Sequence, residues 1–323
     1  MNNKIKIGLI GVGYWGKNIL RNIVTSEKTQ IACVCDKNVK LARQRLKEHN
    51  LLDKVRVYDS LINFYNHEDM DAVAIATPAG THYELSKLSL ENNKHVLVEK
   101  PMCFTTAEAR KMVNLANKNN LTLMCDHTFC FSGTTNAVKK IVNSGELGNI
   151  ISINSSRLNL GLFQKDTNVI WDLAPHDFSI LQHILGNFEV KSQNVHVTKS
   201  PVSEFAAESH VFLQTKSNIQ VTVYSSWISP VKERKLVVVG DKKMLVWDDL
   251  AEDKIKVYDK NVKKVNNKIE YYDNGFEVVN FDKTEPLLNM INHFADCIAN
   301  GKESISSGEK SYQIVKILSE ANE

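Results

Sequence analysis

Residues 5–36 read IKIGLIGVGYWGKNILRNIVTSEKTQIACVCD, and this stretch decides the fold. A short apolar run, Ile5–Ile10, is followed at once by Gly11-Val12-Gly13-Tyr14-Trp15-Gly16, which has the G-x-G-x-x-G spacing. This pattern predicts a strand, a tight glycine turn and a helix whose N-terminus can hold a phosphate. A second apolar run ends at Asp36, where a carboxylate can accept hydrogen bonds from the hydroxyls of an adenosine ribose. The stretch therefore predicts a dinucleotide-binding unit.

The three glycines have separate tasks in such a unit. Gly11 permits the tight turn, Gly13 leaves room for a pyrophosphate near the backbone, and Gly16 lets the helix lie close to the sheet. The alternative is a turn that binds no ligand, but the acid at the end of the second strand favours a nucleotide. That acid also favours NAD over NADP, because it would repel a 2′-phosphate, although the neighbouring lysine softens the preference. The residues predicted to contact the cofactor here are Gly11, Gly13, Tyr14, Trp15, Gly16, Asp36 and Lys37.

The composition sets limits on the class of protein. Lysine and arginine total 40 against 37 acidic residues in 323, a formal net charge of +3, so no charge excess points to a nucleic-acid partner. No apolar run reaches the roughly 18 residues of a membrane span, and the chain opens without a secretory leader. Six cysteines lack metal-ligand spacing and are predicted to be reduced. We expect a cytoplasmic protein with no membrane, nucleic-acid or metal partner.

The first 125 residues alternate strand-length apolar runs with helical patterns, which predicts a doubly wound parallel sheet, an NAD-binding Rossmann domain over 1–125. Two threonine starts, Thr81–Glu84 and Thr105–Glu108, fit a capping box. The predicted strands are 4–10, 30–35, 54–57, 71–76, 95–99 and 121–125, with helices beginning near Tyr14, Asn38, Asp59, Thr81 and Thr105.

Beyond residue 125 the rhythm changes to successive strands separated by short turns, which predicts a mainly antiparallel open sheet. The fold class is therefore α/β, with a substrate-binding and oligomerisation α+β domain over 126–323. The lysine-rich stretch 254–268 is predicted to be a solvated hairpin rim. The predicted helices are 135–144, 172–185, 285–300 and 307–321, and the predicted strands are 150–160, 190–198, 206–215, 219–227, 235–240, 244–248 and 255–258.

Ligands of a doubly wound sheet bind beyond the carboxyl ends of the strands. The fourth strand is followed by Thr77-Pro78 and, a few residues on, by His82; the fifth ends in Glu99-Lys100-Pro101, and the sixth is followed by Asp126-His127. A lysine usually ends a strand merely to reach water, yet Lys100 would stand beside a bound nicotinamide and could exchange protons there. A loop with a helix cap would explain the residues after the fourth strand equally well.

A second set of polar residues lies in Trp171-Asp172-Leu173-Ala174-Pro175-His176-Asp177. Asp172 and His176 are four apart and share one face of a helix, whereas Asp177 points away from it. A carboxylate beside an imidazole can orient it as a general base for an alcohol. The alternative is structural: Asp172 would be the helix N-cap, with Pro175 in the first turn and His176 packed behind it.

These motifs, in this order, resemble the Gfo/Idh/MocA oxidoreductases over nearly the whole chain. The most specific parts are Glu99-Lys100-Pro101 and the Asp172 to His176 spacing. The resemblance implies oxidation or reduction of a sugar or cyclitol carbon with a nicotinamide cofactor. It also implies that Lys100, Asp172 and His176 are catalytic. The further residues that it places at the cofactor are Thr77, Pro78, His82, Glu99, Lys100, His127 and Trp171.

Two stretches, 159–164 and 168–177, look more narrowly like members that act on nucleotide-linked amino sugars, especially UDP-N-acetylglucosamine 3-dehydrogenases. One face of the strand would carry Ser155, Arg157 and Asn159, where Arg157 could bind a diphosphate and Asn159 a sugar hydroxyl. The same alternation is expected if this face is simply exposed to solvent. Residues 168–171 depart from the glycines that many relatives carry there. The residues predicted to contact the substrate are Lys100, Arg157, Asn159, Gln164, Asn168, Asp172 and His176.

The predicted reaction is NAD-dependent oxidation of the C3 hydroxyl of a UDP-linked N-acetylhexosamine, which gives a 3-keto sugar for later transamination. A keto-reductase of a deoxysugar nucleotide, or an inositol or free-sugar dehydrogenase, would use the same residues. A regulatory protein that senses NAD without turnover is the alternative from a different class. The resemblance further implies a homodimer or homotetramer that pairs through the C-terminal sheet.

Overall fold

The computed structural model describes residues 4–161, 163–164, 167–186, 188–200 and 202–321. The chain divides into two compact units, Met1–Phe131 with Thr284–Lys316, and Ser132–Lys283 with Ile317–Glu323. The predicted boundary after residue 125 lies close to the first division. The return of residues 284–316 to the first unit was not predicted.

The strands are β1 (Ile5–Ile10), β2 (Thr29–Cys35), β3 (Arg56–Tyr58), β4 (Ala72–Ile75), β5 (His95–Val98), β6 (Leu123–Cys125), β7 (Ile150–Leu160), β8 (Val190–Lys199), β9 (Ala206–Thr215), β10 (Gln220–Ser226), β11 (Ile228–Gly240), β12 (Met244–Asp248), β13 (Ile255–Val265) and β14 (Lys268–Val278). The helices are α1 (Gly16–Thr25), α2 (Val39–Lys47), α3 (Leu61–Tyr65), α4 (His82–Glu91), α5 (Thr106–Lys118), α6 (Gly133–Ser144), α7 (Val169–Leu185), α8 (Pro286–Asn300) and α9 (Gly308–Glu320). Over the described ranges, no helix has the length and apolar character needed to cross a bilayer.

The first unit contains a six-stranded sheet in the order β3-β2-β1-β4-β5-β6, with every neighbouring pair parallel. This is the order of a dinucleotide-binding sheet, and the strand order reverses between β1 and β4. Helix α8 packs on α1 and on β1 and β2, and its Leu287, Ile291 and Phe294 belong to the same apolar core as the first strand. The predicted doubly wound parallel sheet is confirmed.

One of the two predicted capping boxes is present. The Thr105 side chain accepts from the Glu108 backbone N–H while the Glu108 side chain accepts from the Thr105 N–H. The box predicted at Thr81 is wrong, because Thr81 has helical backbone angles and its hydroxyl donates to the Pro78 carbonyl at 2.7 Å. A short 3₁₀ turn, Ala79–Thr81, leads directly into α4 and leaves no extended cap residue.

The second unit contains an eight-stranded sheet in the order β14-β13-β12-β11-β7-β10-β9-β8. Among these strands only the pair β7 and β10 is parallel, so the mainly antiparallel sheet is confirmed. Strand β14 was not predicted, because Asp273-Asn274-Gly275 has the sequence of a turn and separates its two short alternating segments. Strand β11 begins at Ile228, earlier than the predicted residue 235.

Helix α7 covers one face of this sheet, packing on β7, β9 and β10, with α6 beside it. Alternate residues of the strands are buried beneath it, such as Val211 and Val223, while their neighbours Phe212 and Tyr224 lie on the opposite face. Across that opposite face the His210 ring stacks on Tyr224 with 4.1 Å between ring centroids. The sheet therefore has a helix-covered face and a face without helices within the described unit.

Candidate cofactor and substrate sites

The glycine turn after β1 has the tight geometry that its sequence predicts. Gly11 has a φ of +89°, and a Cβ there would lie 2.5 Å from the carbonyl oxygen of Ala76, just past β4. A Cβ on Gly16 would collide with the carbonyl of Gly11. Both positions therefore require glycine, because any side chain would separate the turn from the end of β4 or from the start of α1.

The middle glycine, Gly13, and the acid, Asp36, show whether this turn can hold a dinucleotide. A Cβ on Gly13 would meet no protein atom within 4 Å, so the backbone there stands beside open space. Asp36 accepts hydrogen bonds from the backbone N–H groups of Val12 at 2.9 Å and Asn38 at 2.7 Å. The carboxylate is thereby held against the turn. An open approach at Gly13, the start of α1 and a fixed acid fit a pyrophosphate and a ribose.

His82 connects the loops that follow β4 and β5. Its buried ring lies 2.9 Å from the Thr77 carbonyl oxygen through Nε2 and 2.7 Å from the Pro101 carbonyl oxygen through Nδ1. A carbonyl oxygen can only accept, so a ring with an N–H on each nitrogen satisfies both contacts. His82 thus fixes the loop that begins with Thr77-Pro78 relative to the Lys100-Pro101 segment, whose peptide bond is cis.

A group of titratable side chains lies at the carboxyl ends of β5 and β6. Glu99, Asp126 and His127 are buried, and Lys100 is half-buried beside them. The pKa of Glu99 is raised well above its ordinary value, mainly by burial. The charge of Asp126 and a hydrogen bond with Asp126 raise it further. Burial lowers the pKa of His127 to about 4, and its ring nitrogens have no hydrogen-bond partner within the described residues. A neutral imidazole with two open nitrogens can donate to or accept from a bound ligand.

In the second unit, Asp172 and His176 lie four residues apart on one side of α7, and both are half-buried. The alternative that Asp172 is the N-cap is wrong, because α7 begins at Val169 and Asn168 caps it by accepting from the Trp171 N–H at 3.1 Å. Pro175 accordingly lies beyond the first turn. The buried indole of Trp227 donates to Asp172 Oδ2 at 3.1 Å, so this carboxylate is held from the end of β10.

The predicted face of β7 is turned toward α7 rather than toward solvent. Arg157 is buried and donates to Asp177 from Nε at 3.0 Å and from Nη2 at 3.3 Å. Ser155 donates to the same carboxylate at 2.7 Å. The alternative of a solvent face is therefore wrong for Ser155 and Arg157. That Arg157 binds a diphosphate stays a prediction, and its guanidinium also ties β7 to α7.

The remaining predicted substrate residues are spread along the second unit. Asn159 is half-buried near the end of β7, Gln164 is exposed in the segment that follows, and Trp171 is buried in the first turn of α7. Leu162, which belongs to the stretch that carries the narrower resemblance, lies outside the described residues. The contacts of these side chains with a ligand stay predictions.

Each unit thus brings together part of the predicted site. The first unit contains the glycine turn, Asp36, Thr77, Pro78, His82, Glu99, Lys100 and His127, at or near the carboxyl ends of its strands. The second unit contains Arg157, Asn159, Gln164, Asn168, Trp171, Asp172 and His176, of which Asp172 and His176 share one side of α7. Sequence reasoning missed Trp227, because nothing in its local pattern connects it with an aspartate 55 positions earlier. It also missed that the Trp15 indole donates to Asp126 at 3.2 Å.

Comparison with known proteins agrees with this division. Residues 5–127 match the model of the oxidoreductase family with an NAD-binding Rossmann fold, and residues 135–246 match the GFO/IDH/MocA C-terminal domain. The chain belongs to the GFO/IDH/MocA family. Its first unit carries the NAD-binding Rossmann fold of that family, and this match confirms NAD as the expected cofactor.

Individual relatives are distant. An uncharacterized oxidoreductase of Streptococcus pneumoniae is 26% identical over 52% of this chain and 43% of its own. A dTDP-3,4-didehydro-2,6-dideoxy-alpha-D-glucose 3-reductase of Saccharopolyspora spinosa is 28% identical over 46% of this chain and 44% of its own. The chain spans about half the length of these curated relatives. The solved structure of UDP-N-acetylglucosamine 3-dehydrogenase GnnA from Acidithiobacillus ferrooxidans shares the fold, with a TM-score of 0.81 and 21% identity over 99% of this chain and 97% of that chain.

No group of three or more histidine, cysteine or acidic side chains that could hold a metal ion occurs in the part of the chain that the structure describes.

The position of Asp36 yields a prediction about cofactor choice. Asp36→Ser removes the carboxylate that would bind the ribose hydroxyls and repel a 2′-phosphate. We expect the ratio of NADPH to NADH dissociation constants, measured by fluorescence titration, to fall by about tenfold to a hundredfold. Asp53→Ser, an exposed acid of the same unit, is the control and should leave the ratio unchanged. Tighter binding of NADPH than of NADH by the unchanged protein would contradict the role given to Asp36.

Proposed function

We propose that this protein is an NAD-dependent dehydrogenase that oxidises a hydroxyl carbon of a nucleotide-linked sugar, with C3 of a UDP-linked N-acetylhexosamine as the best candidate. The observation that carries the proposal is the presence of proton-handling groups in both units. Lys100 follows β5 at the cofactor-binding edge of the sheet, and the second unit offers Asp172 and His176 on one side of α7. A redox enzyme for an alcohol needs both a hydride acceptor and a base.

Bound NAD would supply the hydride acceptor, held by the glycine turn, Asp36 and the start of α1. The part of the protein is to position the sugar and to take the hydroxyl proton. His176 is the proposed base, with Asp172 on the same side of the helix to orient and charge-stabilise its ring. Lys100 is the alternative base, or donates a hydrogen bond to the same oxygen. For the reverse reaction the same groups return the proton, so residue types do not set the direction.

The choice of a nucleotide sugar is supported by the two stretches that resemble amino-sugar dehydrogenases and by the name of the structural neighbour GnnA. The relative from Saccharopolyspora spinosa supports the main alternative, reduction of a keto-deoxysugar nucleotide. Inositol or a free sugar is a further alternative. These candidates differ in substrate and direction but need the same cofactor and base.

A substrate panel tests the proposal. The protein is mixed with NAD and UDP-N-acetylhexosamines, dTDP-sugars or cyclitols, and NADH formation is followed by absorbance; mass spectrometry of the product locates the keto group. We expect turnover with a UDP-N-acetylhexosamine and a 3-keto product. Lys100→Met should lower kcat by about a hundredfold to ten-thousandfold, because a proton-handling group is lost. If only a cyclitol is turned over, the proposal of a nucleotide-sugar substrate is wrong and the protein is a cyclitol dehydrogenase.

The same measurements separate the enzyme from a regulator that senses NAD. If no member of the panel is turned over, in either direction, while NADH binds normally, the sensor is the better description. If Lys100→Met removes turnover and leaves NADH binding intact, the lysine serves chemistry and the sensor is excluded.

Trp227 provides a sharper test of the role of Asp172. Trp227→Phe keeps an aromatic ring beside Phe163, whose ring centroid lies 5.5 Å away, but removes the N–H that Asp172 accepts. We expect kcat to fall by about tenfold to a hundredfold, with a smaller change in KM and an altered acid limb of the pH profile, because the aspartate loses the hydrogen bond from the indole.

The chain offers a matched control for this substitution. Trp247 is equally buried in the same sheet, and its indole N–H has no hydrogen-bond partner within the described residues. Trp247→Phe therefore removes a ring of the same size without breaking a hydrogen bond. Equal losses of kcat in the two variants would mean that packing, not the hydrogen bond to Asp172, matters.

We also propose that the face of the second sheet that α7 leaves open pairs copies of this chain into a homodimer or homotetramer. Its stacked His210 and Tyr224 and its half-exposed Phe212 form an apolar and aromatic patch of the kind that protein interfaces use. Light scattering should give the mass of two or four chains, and Phe212→Glu should lower it. A monomeric mass for the unchanged protein would contradict the proposal.

A further inference from the structure

Two carboxyl groups lie side by side at the carboxyl edge of the first sheet. Glu99 follows β5 and Asp126 follows β6, and these neighbouring parallel strands end in register with Val98 opposite Cys125. Glu99 is 9% exposed and Asp126 is 2% exposed. Glu99 Oε1 is buried with no hydrogen-bond partner among the described residues, and two buried carboxylates on neighbouring strand ends repel each other, so such a pair holds one proton between them.

The hydrogen bonds show which group stays ionised. Asp126 accepts from the Trp15 indole at 3.2 Å, from the Thr128 backbone N–H at 3.0 Å and from the Thr128 hydroxyl. Glu99 accepts only the Lys100 backbone N–H, at 3.2 Å, within the described residues. A carboxylate is stabilised by each donor that it accepts, so the charge belongs on Asp126. The direction of the pKa shift of Glu99, upward through burial and through Asp126, agrees.

We propose that Glu99 is a neutral acid whose O–H donates a hydrogen bond to the Asp126 carboxylate, and that this pair is a positioning device. It links the glycine turn, through Trp15, to the backbone of Lys100. The titratable groups that face the pair are Lys100, His127 and Cys125. Burial lowers the pKa of His127 and, with the charges of the two acids, raises the pKa of the Cys125 thiol, so both groups are neutral.

The pair has a consequence for the cofactor site. Trp15 belongs to the turn that would hold the pyrophosphate. Hydrogen bonds connect it through Asp126 and Glu99 to the backbone of Lys100. Asp126 is therefore a positioning residue for dinucleotide binding, whereas its effect on turnover acts through Lys100 and rests on the proposed function. Neither the protonation of Glu99 nor the bond to Trp15 depends on any substrate.

Infrared spectroscopy tests the protonation directly. At neutral pH the unchanged protein should show the C=O band of a protonated carboxyl group, which shifts in D2O and is absent from Glu99→Gln. Asp69→Asn, an exposed acid of the same unit, is the control and should keep the band. Two results would overturn the proposal: no such band in the unchanged protein, or a band that persists in Glu99→Gln and disappears in Asp126→Asn.

A double-mutant cycle tests the positioning role. NADH binding, read from tryptophan quenching without turnover, should weaken about tenfold in Asp126→Asn and in Trp15→Phe, as for one hydrogen bond to a charged group. If the two residues act through one bond, the double variant should bind no more weakly than either single variant. Losses that multiply, or no loss in Trp15→Phe, would overturn the positioning role.

Both tests remain decisive if one variant does not fold or if the proposed substrate is wrong. The infrared band can be titrated in the unchanged protein, and Trp15→Phe alters a partly exposed side chain. If no sugar of the panel is turned over, while the infrared band of Glu99 is present and the double-mutant cycle gives the expected coupling, only the proposed function is overturned. An active dehydrogenase without the band would overturn this inference only.

Discussion

The cofactor side of the molecule depends on the close contact between the Gly11 turn and the end of β4. Parallel pairing of β1 with β4 brings their carboxyl ends to the same edge, and the missing side chain at Gly11 lets the turn approach the Ala76 carbonyl. The order of the remaining strands then places the ends of β5 and β6 on one side of this point. Thr77, Lys100 and His127 share an edge for that reason, although they are far apart in sequence.

Burial divides the polar groups at that edge into two kinds. His82 and Asp126 have their ring nitrogens or oxygens engaged by the protein, and they hold loops in place. The ring of His127 is buried with both nitrogens lacking partners among the described residues, and a buried polar group without a partner is costly. A ligand that supplied the missing hydrogen bonds would recover that cost, so this histidine is the better candidate for direct contact with the cofactor.

Local patterns predicted the first sheet and most of the second. The glycine spacing, the apolar strands and the Thr105 box are short-range signals, and each of them was confirmed. The Thr81 box had the same residue types but failed, because the 3₁₀ turn before it removes the extended cap conformation. Strand β14 was missed because Asp273-Asn274-Gly275 within it has the sequence of a turn. The partner of Asp172 could not be predicted, because a hydrogen bond from Trp227 is set by how α7 lies on the sheet.

Helix α7 carries two acids with different roles: Asp177 binds the sheet, and Asp172 belongs to the candidate substrate site. Asp172 and Asp177 are five residues apart, which at 3.6 residues per turn places them about 140° apart around the axis. Asp177 therefore faces the sheet, where Arg157 and Ser155 donate to it, and removal of Arg157 would leave a buried charge without a counter-ion. Asp172 is half-buried on the same side of α7 as His176, and its Oδ2 accepts from the Trp227 indole. The buried Asp177 therefore ties α7 to β7, whereas Asp172 is the acid on the side of α7 that carries His176, where a carboxylate can orient the imidazole proposed as the base.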